Sequence, residues 1–265
     1  MKVVIAGLGA IGGRVARGLD DGIDGLTLVA VSGRDPEKTK DAVAKLRKPV
    51  DVVSPDELAK RCDIVVECAP TAAFESIAVP VLKAGKILVT VSAAAILRHP
   101  EVIDLAKANR GRIILATGAL LGLDAVRAAA ETEIHSVTMV TRKPPKTLAG
   151  SPHIVANNID LENVKAPLKV FDGSAREGAK GFPANVNVAA ALGLAGIGPD
   201  RTQLQIWADP TVTRNTHSIT VDADTARFSM TIENVPSDNP RTGKSVAPST
   251  VAALRALVSE LKVGS

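Results

Sequence analysis

The feature that most restricts the fold of this chain lies within its first twelve residues. A short apolar run, Val3, Val4, Ile5 and Ala6, leads straight into Gly7, Leu8, Gly9, Ala10, Ile11 and Gly12, and a helix-like segment covers 11–19. In such a turn the first glycine permits the sharp bend. The second lets another group approach the backbone, and the third lets helix and strand pack closely. A lone G-x-G-x-x-G is weak evidence, but a strand before it and a helix after it give it the context of a pyrophosphate-binding turn. The first amides of the helix then face the phosphates. Gly7, Gly9, Ala10, Ile11 and Gly12 are the expected contacts.

The next hundred residues repeat that alternation. Strand-like runs at 26–31, 50–53, 64–67, 87–91 and 113–116 alternate with helical segments at 41–46, 71–83 and 100–108, and Ser54 with Pro55 opens a further short helix. Aromatic residues make up only 2% of the chain and tyrosine is absent, so Val, Ile, Leu and Ala must build the core. That is the usual make-up of parallel strands buried on both faces. The reading is an α/β chain with a Rossmann-type doubly wound parallel sheet over 1–118. From 119 the rhythm changes. Helices at 123–131 and 187–194, strands at 136–141, 203–208, 218–222 and 226–233, and a loop over 143–152 predict a second, α+β domain spanning 119–240. The C-terminal segment 241–265 carries a last helix at 249–261, expected to pack back on the first domain.

About twenty residues after the glycine turn, an NAD-binding unit usually carries an acidic residue that holds the adenosine ribose. Here Ser32, Gly33 and Arg34 stand at that place, with Asp35 only after them. A hydroxyl and a guanidinium accommodate a 2′-phosphate, so Ser32 and Arg34 predict that NAD or NADP is accepted.

Other classes of chemistry are disfavoured. Without tyrosine there is no Tyr–Lys acid pair, and Cys, His and Glu do not cluster at metal-ligand spacing, so no metal is expected. Cys62 and Cys68 bracket an apolar run and read as buried free thiols, in keeping with a cytoplasmic protein. The net charge of +4 comes with no basic run interleaved with aromatics, and no apolar stretch approaches membrane-spanning length. Neither nucleic acid nor membrane is an expected partner. Histidine is the side chain best matched to proton transfer near neutrality. His99 reads as a surface residue, His135 as ambiguous, and His153 as the end of a loop. His217 closes a polar stretch from Asp209 that also holds Arg214, Asn215 and Thr216. Either a catalytic or a structural histidine fits there.

Several segments together resemble the L-aspartate dehydrogenase family over nearly the whole chain. Beyond the glycine turn they are Thr117-Gly118-Ala119, the run TRKPP at 141–145, FPANVNVAA at 182–190, Ala208-Asp209-Pro210, Asn215-Thr216-His217 and NVPSDNP at 234–240. The resemblance implies oxidation of L-aspartate to iminosuccinate, which water converts to oxaloacetate and ammonia, together with the reverse reductive amination. It further implies a link to NAD biosynthesis and a homodimer. His217 corresponds to the family's active-site histidine, and Ala119 and Asn187 to cofactor contacts. A related reductase acting on another small dicarboxylate or imine is the alternative reading.

Amine oxidation by hydride loss requires the ammonium to lose a proton first, and a neutral imidazole at His217 can take it or activate the water that hydrolyses the imine. The two substrate carboxylates call for cations or several donors. Arg142, Lys143 and Arg214, with the hydroxyls of Thr141 and Thr216, are the candidates, none assigned to a particular carboxylate.

Overall fold

Hydrophobic strands that alternate with helices do form a parallel sheet. The computed structural model describes residues 1–183, 186–235 and 243–264. Ala184 and Asn185 of the FPANVNVAA run, residues 236–240 of the NVPSDNP run, Arg241 and Thr242 at the start of the C-terminal segment, and Ser265 lie outside the described residues. The chain divides into two units. One comprises Met1–Ala116 and Val246–Lys262, the other Thr117–Ser245 and Val263–Ser265.

The first unit runs β1 (Lys2–Ala6), α1 (Gly12–Asp21), β2 (Thr27–Ser32), α2 (Pro36–Val43), β3 (Asp51–Val52), α3 (Leu58–Arg61), β4 (Ile64–Glu67), α4 (Phe74–Lys83), β5 (Ile87–Thr90), α5 (Ala93–Arg98), α6 (Glu101–Ala108) and β6 (Arg112–Leu115). Its six strands are all parallel, in the order β3-β2-β1-β4-β5-β6. The order reverses beside β1, at the switch point where doubly wound sheets hold ligands. Val3 and Ile5 point to one face of β1 and Val4 and Ala6 to the other, and each pair joins a separate apolar core.

The helix over 41–46 in fact begins earlier, because Asp35 caps α2 by accepting from the Lys38 amide at 3.2 Å. The segment 71–83 starts with one 3-10 turn, Thr71–Ala73, before α4.

The second unit runs α7 (Leu123–Ala129), β7 (Ile134–Lys143), α8 (Pro152–Ala156), β8 (Leu168–Ser174), α9 (Ala175–Gly181), α10 (Asn187–Ala195), β9 (Thr202–Ala208), β10 (Asn215–Ala223) and β11 (Arg227–Asn234). The strand order is β11-β10-β7-β9-β8, with β7 and β9 parallel and the other pairs antiparallel. One face of the sheet packs Val137, Met139, Leu204, Ile206, Ile219 and Val221 beneath the helices.

β7 extends two residues beyond the 136–141 run at each end, so Arg142 and Lys143 lie in the sheet rather than in the following loop. His153 lies within α8, its ring packed between those of Phe171 and Phe182 at 5.3 and 5.2 Å, and is not a loop residue. β8 and α9 fall where no element is predicted, since four of the strand's seven residues are polar or small.

The last helix, α11 (Val246–Arg255), starts before 249 and ends short of 261. Ala247 and Leu254 join the apolar cluster that holds Val15 and Leu19 of α1. No helix among the described residues is long and apolar enough to cross a membrane.

Candidate active site

The glycine turn is shaped by close contacts. Gly7 has φ +95° and donates its amide to the Ser32 carbonyl at 2.7 Å. A Cβ on Gly12 would lie 1.9 Å from the Gly7 oxygen, so only glycine lets α1 start so near β1. Gly9 differs: a Cβ there would meet nothing within 4 Å. Open space over this backbone, at the amino end of α1, suits a phosphate. Ala10 and Ile11 complete the turn, Ala10 exposed and Ile11 half-buried.

A cavity of about 500 Å³ adjoins the turn, lined by Gly7, Ser32, Gly33, Arg34, Pro70 and Ser76 among others. Ser32 is buried at the end of β2, whereas Arg34 is exposed. Asp35, the carboxylate that directly follows Arg34, is occupied as the α2 cap. These residues fit a pyridine dinucleotide, with a cationic end for the adenosine ribose.

Sequence reasoning missed Glu67. It ends β4, is completely buried, and accepts from Thr90 Oγ1 at 2.6 Å and from the Ala69 amide at 2.8 Å. Burial pushes its carboxyl up, and hydrogen bonds from Thr90, Ser92 and Ala69 oppose that. An acid closing the apolar run IVVE was the available signal. It ties the loops after β4 and β5 to the sheet.

Placement disfavours the thiolate form of both cysteines. Burial pushes Cys62 up to about 11 and Cys68 higher still, although Cys68 is half-buried rather than fully buried as predicted.

In the second unit, strand register decides which candidates meet. His217 on β10 pairs with Thr141 on β7. Thr141 Oγ1 lies 3.0 Å from His217 Nδ1, which leaves Nε2 as the ring nitrogen for another partner. Lys143, two residues along β7, points to the same face. Thr141, Lys143 and His217 are 3%, 4% and 3% exposed, a buried polar group at one end of an otherwise apolar face. Burial pushes Lys143 down to about 8. Burial, and then the charge of Lys143, push His217 down to about 3, so the imidazole is neutral across the physiological range.

The same alternation sends Arg142 and its cross-strand partner Thr216 to the opposite face. The expected grouping of both with His217 is not what the sheet produces. Arg142 pairs with Asp209 at 3.0 Å and lies 5.0 Å over the Trp207 ring. Burial raises the Asp209 carboxyl, but hydrogen bonds from Thr211 and Arg142 outweigh it and hold the group below its ordinary value. Arg214 is exposed in the turn before β10, and Asn187 is exposed as the first residue of α10.

Ala119 is half-buried, and its carbonyl accepts from Asn234 Nδ2 at 2.9 Å. Asn234 is buried and in turn accepts from Ser245 Oγ at 3.0 Å. Asn234 was visible in the sequence only as part of the NVPSDNP run.

Of the remaining histidines, His135 is half-exposed against Asp224, and His99 lies 3.2 Å from Glu101 and 3.9 Å from Glu75. His99 is half-buried rather than a surface residue.

Comparison with known proteins agrees with both units. Residues 124–257 match the family described as aspartate dehydrogenase, C-terminal, and residues 7–116 match the homoserine dehydrogenase NAD binding domain. An L-aspartate dehydrogenase of Bradyrhizobium diazoefficiens is 57% identical, covering 100% of this chain and 94% of that protein. L-aspartate dehydrogenase 3 of Bordetella bronchiseptica is 52% identical, covering 100% and 98%. The crystal structure of aspartate dehydrogenase from Thermotoga maritima shares the fold, with a TM-score of 0.75 at 24% identity over 100% of this chain and 99% of that one. With its nucleotide-binding sheet and this full-length similarity, the chain is an oxidoreductase that belongs to the L-aspartate dehydrogenase family.

Proposed function

We propose that the chain catalyses the reversible NAD(P)-dependent oxidative deamination of L-aspartate, giving iminosuccinate that water converts to oxaloacetate and ammonia. The observation that carries this reading is the buried group of Thr141, Lys143 and His217, within the segment that matches the aspartate dehydrogenase C-terminal family. In this reading Gly7, Gly9, Ala10, Ile11 and Gly12 hold the pyrophosphate, Ser32 and Arg34 the adenosine ribose, and Ala119 and Asn187 the rest of the cofactor. The bound cofactor supplies the hydride acceptor.

The chain's own residues bind and orient the amino acid. His217 faces it as a neutral imidazole whose ring is held by Thr141, with Nε2 left for a hydrogen bond to the substrate or to the water that hydrolyses the imine. Arg214 is the exposed cation offered to a carboxylate. Arg142 and Thr216, on the far face, receive no substrate contact in this reading.

Use of both NAD and NADP follows from Arg34 and from the capping role of Asp35. A homodimer, a cytoplasmic location and a role in NAD biosynthesis complete the proposal on the strength of family membership, and light scattering tests the first.

Purified protein mixed with L-aspartate and either oxidised cofactor is expected to generate the absorbance of the reduced form. Oxaloacetate with ammonia is expected to consume that absorbance. Silence in both directions, or far better turnover of another dicarboxylate in a substrate panel, overturns the reading.

A further inference from the structure

We propose that Lys143 accepts the proton that the substrate ammonium must lose before its Cα–H bond can break, and that His217 stands beside it as a neutral hydrogen-bonding partner. The inference rests on the aspartate reading above and assigns a role that the family's histidine is usually expected to fill.

The geometry is unusual for a lysine. Its long stem normally keeps the ammonium in water, yet Lys143 is 4% exposed. It closes β7 on the face shared with Thr141, directly beside the strand that carries His217. Its backbone is held by the Asp209 amide, which donates to the Lys143 carbonyl at 2.8 Å. Among the described residues, His217 on β10 and Asp209 after β9 are titratable groups on the adjoining strands. The Asp209 carboxylate is already taken by Thr211 at 2.6 Å and Arg142 at 3.0 Å. The Lys143 side chain thus leaves β7 at the end of the sheet where the imidazole also lies.

The chemistry separates the two groups. A general base works best when its pKa lies near the operating pH. Burial brings Lys143 down to about 8, so a substantial share is free amine in mildly alkaline solution. His217, at about 3, is too weak a base to hold a proton there.

In the step itself, one N–H bond of the substrate ammonium breaks and a new N–H bond forms on the Lys143 amine. The electron pair stays on the substrate nitrogen, and nothing is oxidised. That lone pair then supplies the C=N π bond as the Cα–H bond breaks. In the reductive direction Lys143 returns the proton to the newly formed amine.

The test is the pH profile of kcat/KM for aspartate in the wild type and in Lys143→Arg, Lys143→Met and Lys143→Ala. The wild type is expected to rise along a limb with an apparent pKa near 8. Arginine keeps the charge but does not deprotonate, so Lys143→Arg is expected to lose about 10²-fold or more in kcat and to lose the limb. Its KM for aspartate is expected to change far less. Methylamine or ethylamine in the buffer is expected to restore part of the Lys143→Ala rate. Fluorescence titration with reduced cofactor and a melting curve report whether each variant is folded.

A wild-type limb at pH 6 or below, or a folded Lys143→Arg that keeps more than a tenth of kcat, overturns the assignment. The wild-type limb decides even if every variant fails to fold. A wild type inactive with aspartate overturns the aspartate reading as well, whereas an active wild type with fully active variants overturns only the role of Lys143.

Discussion

Thr141 Oγ1 on β7 and His217 Nδ1 on β10 lie 3.0 Å apart across adjacent strands, both side chains almost completely buried. This contact sets the plane of the imidazole and determines which ring nitrogen is free. Thr141→Val keeps the shape and removes the hydroxyl. A hydrogen bond of this kind contributes about 1 kcal/mol, so kcat is expected to fall roughly 5-fold or more. Cofactor affinity, measured by fluorescence titration, is expected to hold. A fall in cofactor affinity with kcat intact would place the contact elsewhere in the function.

The buried imidazole also makes the fold acid-sensitive. His217 sits at about 3 in the folded chain against an ordinary value of 6.5. Below 6.5 the unfolded chain therefore takes up a proton that the folded chain refuses, and stability falls as the pH drops toward 3. The slope approaches about 1.4 kcal/mol per pH unit, so moving from pH 7 to pH 5 is expected to cost about 2 kcal/mol at this site. Urea midpoints at the two pH values measure it. His217→Gln is expected to lose less stability over the same interval, and equal losses would contradict the shift.

The roles of the second and third glycines of the turn separate by mutation. Gly9→Ala places a methyl group in open space, so the melting temperature is expected to stay close to wild type while the cofactor Kd rises at least about tenfold, a loss of about 1.4 kcal/mol. Gly12→Ala drives a methyl group against the Gly7 carbonyl and is expected to destabilise the first unit by about 1–3 kcal/mol or more. Calorimetry and cofactor titration together distinguish the two outcomes.

Arg34 is expected to matter for one cofactor only. A charge-assisted hydrogen bond to a 2′-phosphate contributes about 1.5–3 kcal/mol. Arg34→Ala should therefore lower kcat/KM for NADP at least about tenfold and leave NAD nearly unchanged. Equal losses with both cofactors would remove Arg34 from the recognition of that phosphate.

Much of this was legible from residue spacing. The turn from Gly7 to Gly12 carries its own geometry, and the apolar runs around it are short and buried on both faces, which is the pattern of parallel strands. His217 stood out because it closes a polar stretch between two apolar runs. Segments whose burial depends on distant partners were not legible. β8, with Lys169 and Asp172 exposed, reads as loop until β9 pairs with it. Arg142 and Lys143 are neighbours of like charge in sequence, and only the strand alternation of β7 sends one to the Trp207 face and buries the other beside His217. Glu67 and Asn234 were hidden for the same reason, since a buried polar residue is recognised by its partners Thr90, Ala69 and Ala119 rather than by its neighbours in sequence.

The steady-state kinetics of His217→Ala with L-aspartate, read beside the affinity of the same variant for reduced cofactor, test most directly where the chemistry lies. We expect kcat to fall about tenfold or more, the size of a lost hydrogen bond to a charged group, with cofactor affinity near that of the wild type. An unchanged kcat, or a loss confined to cofactor binding, would contradict the placement of the chemistry at the buried end of β7 and β10.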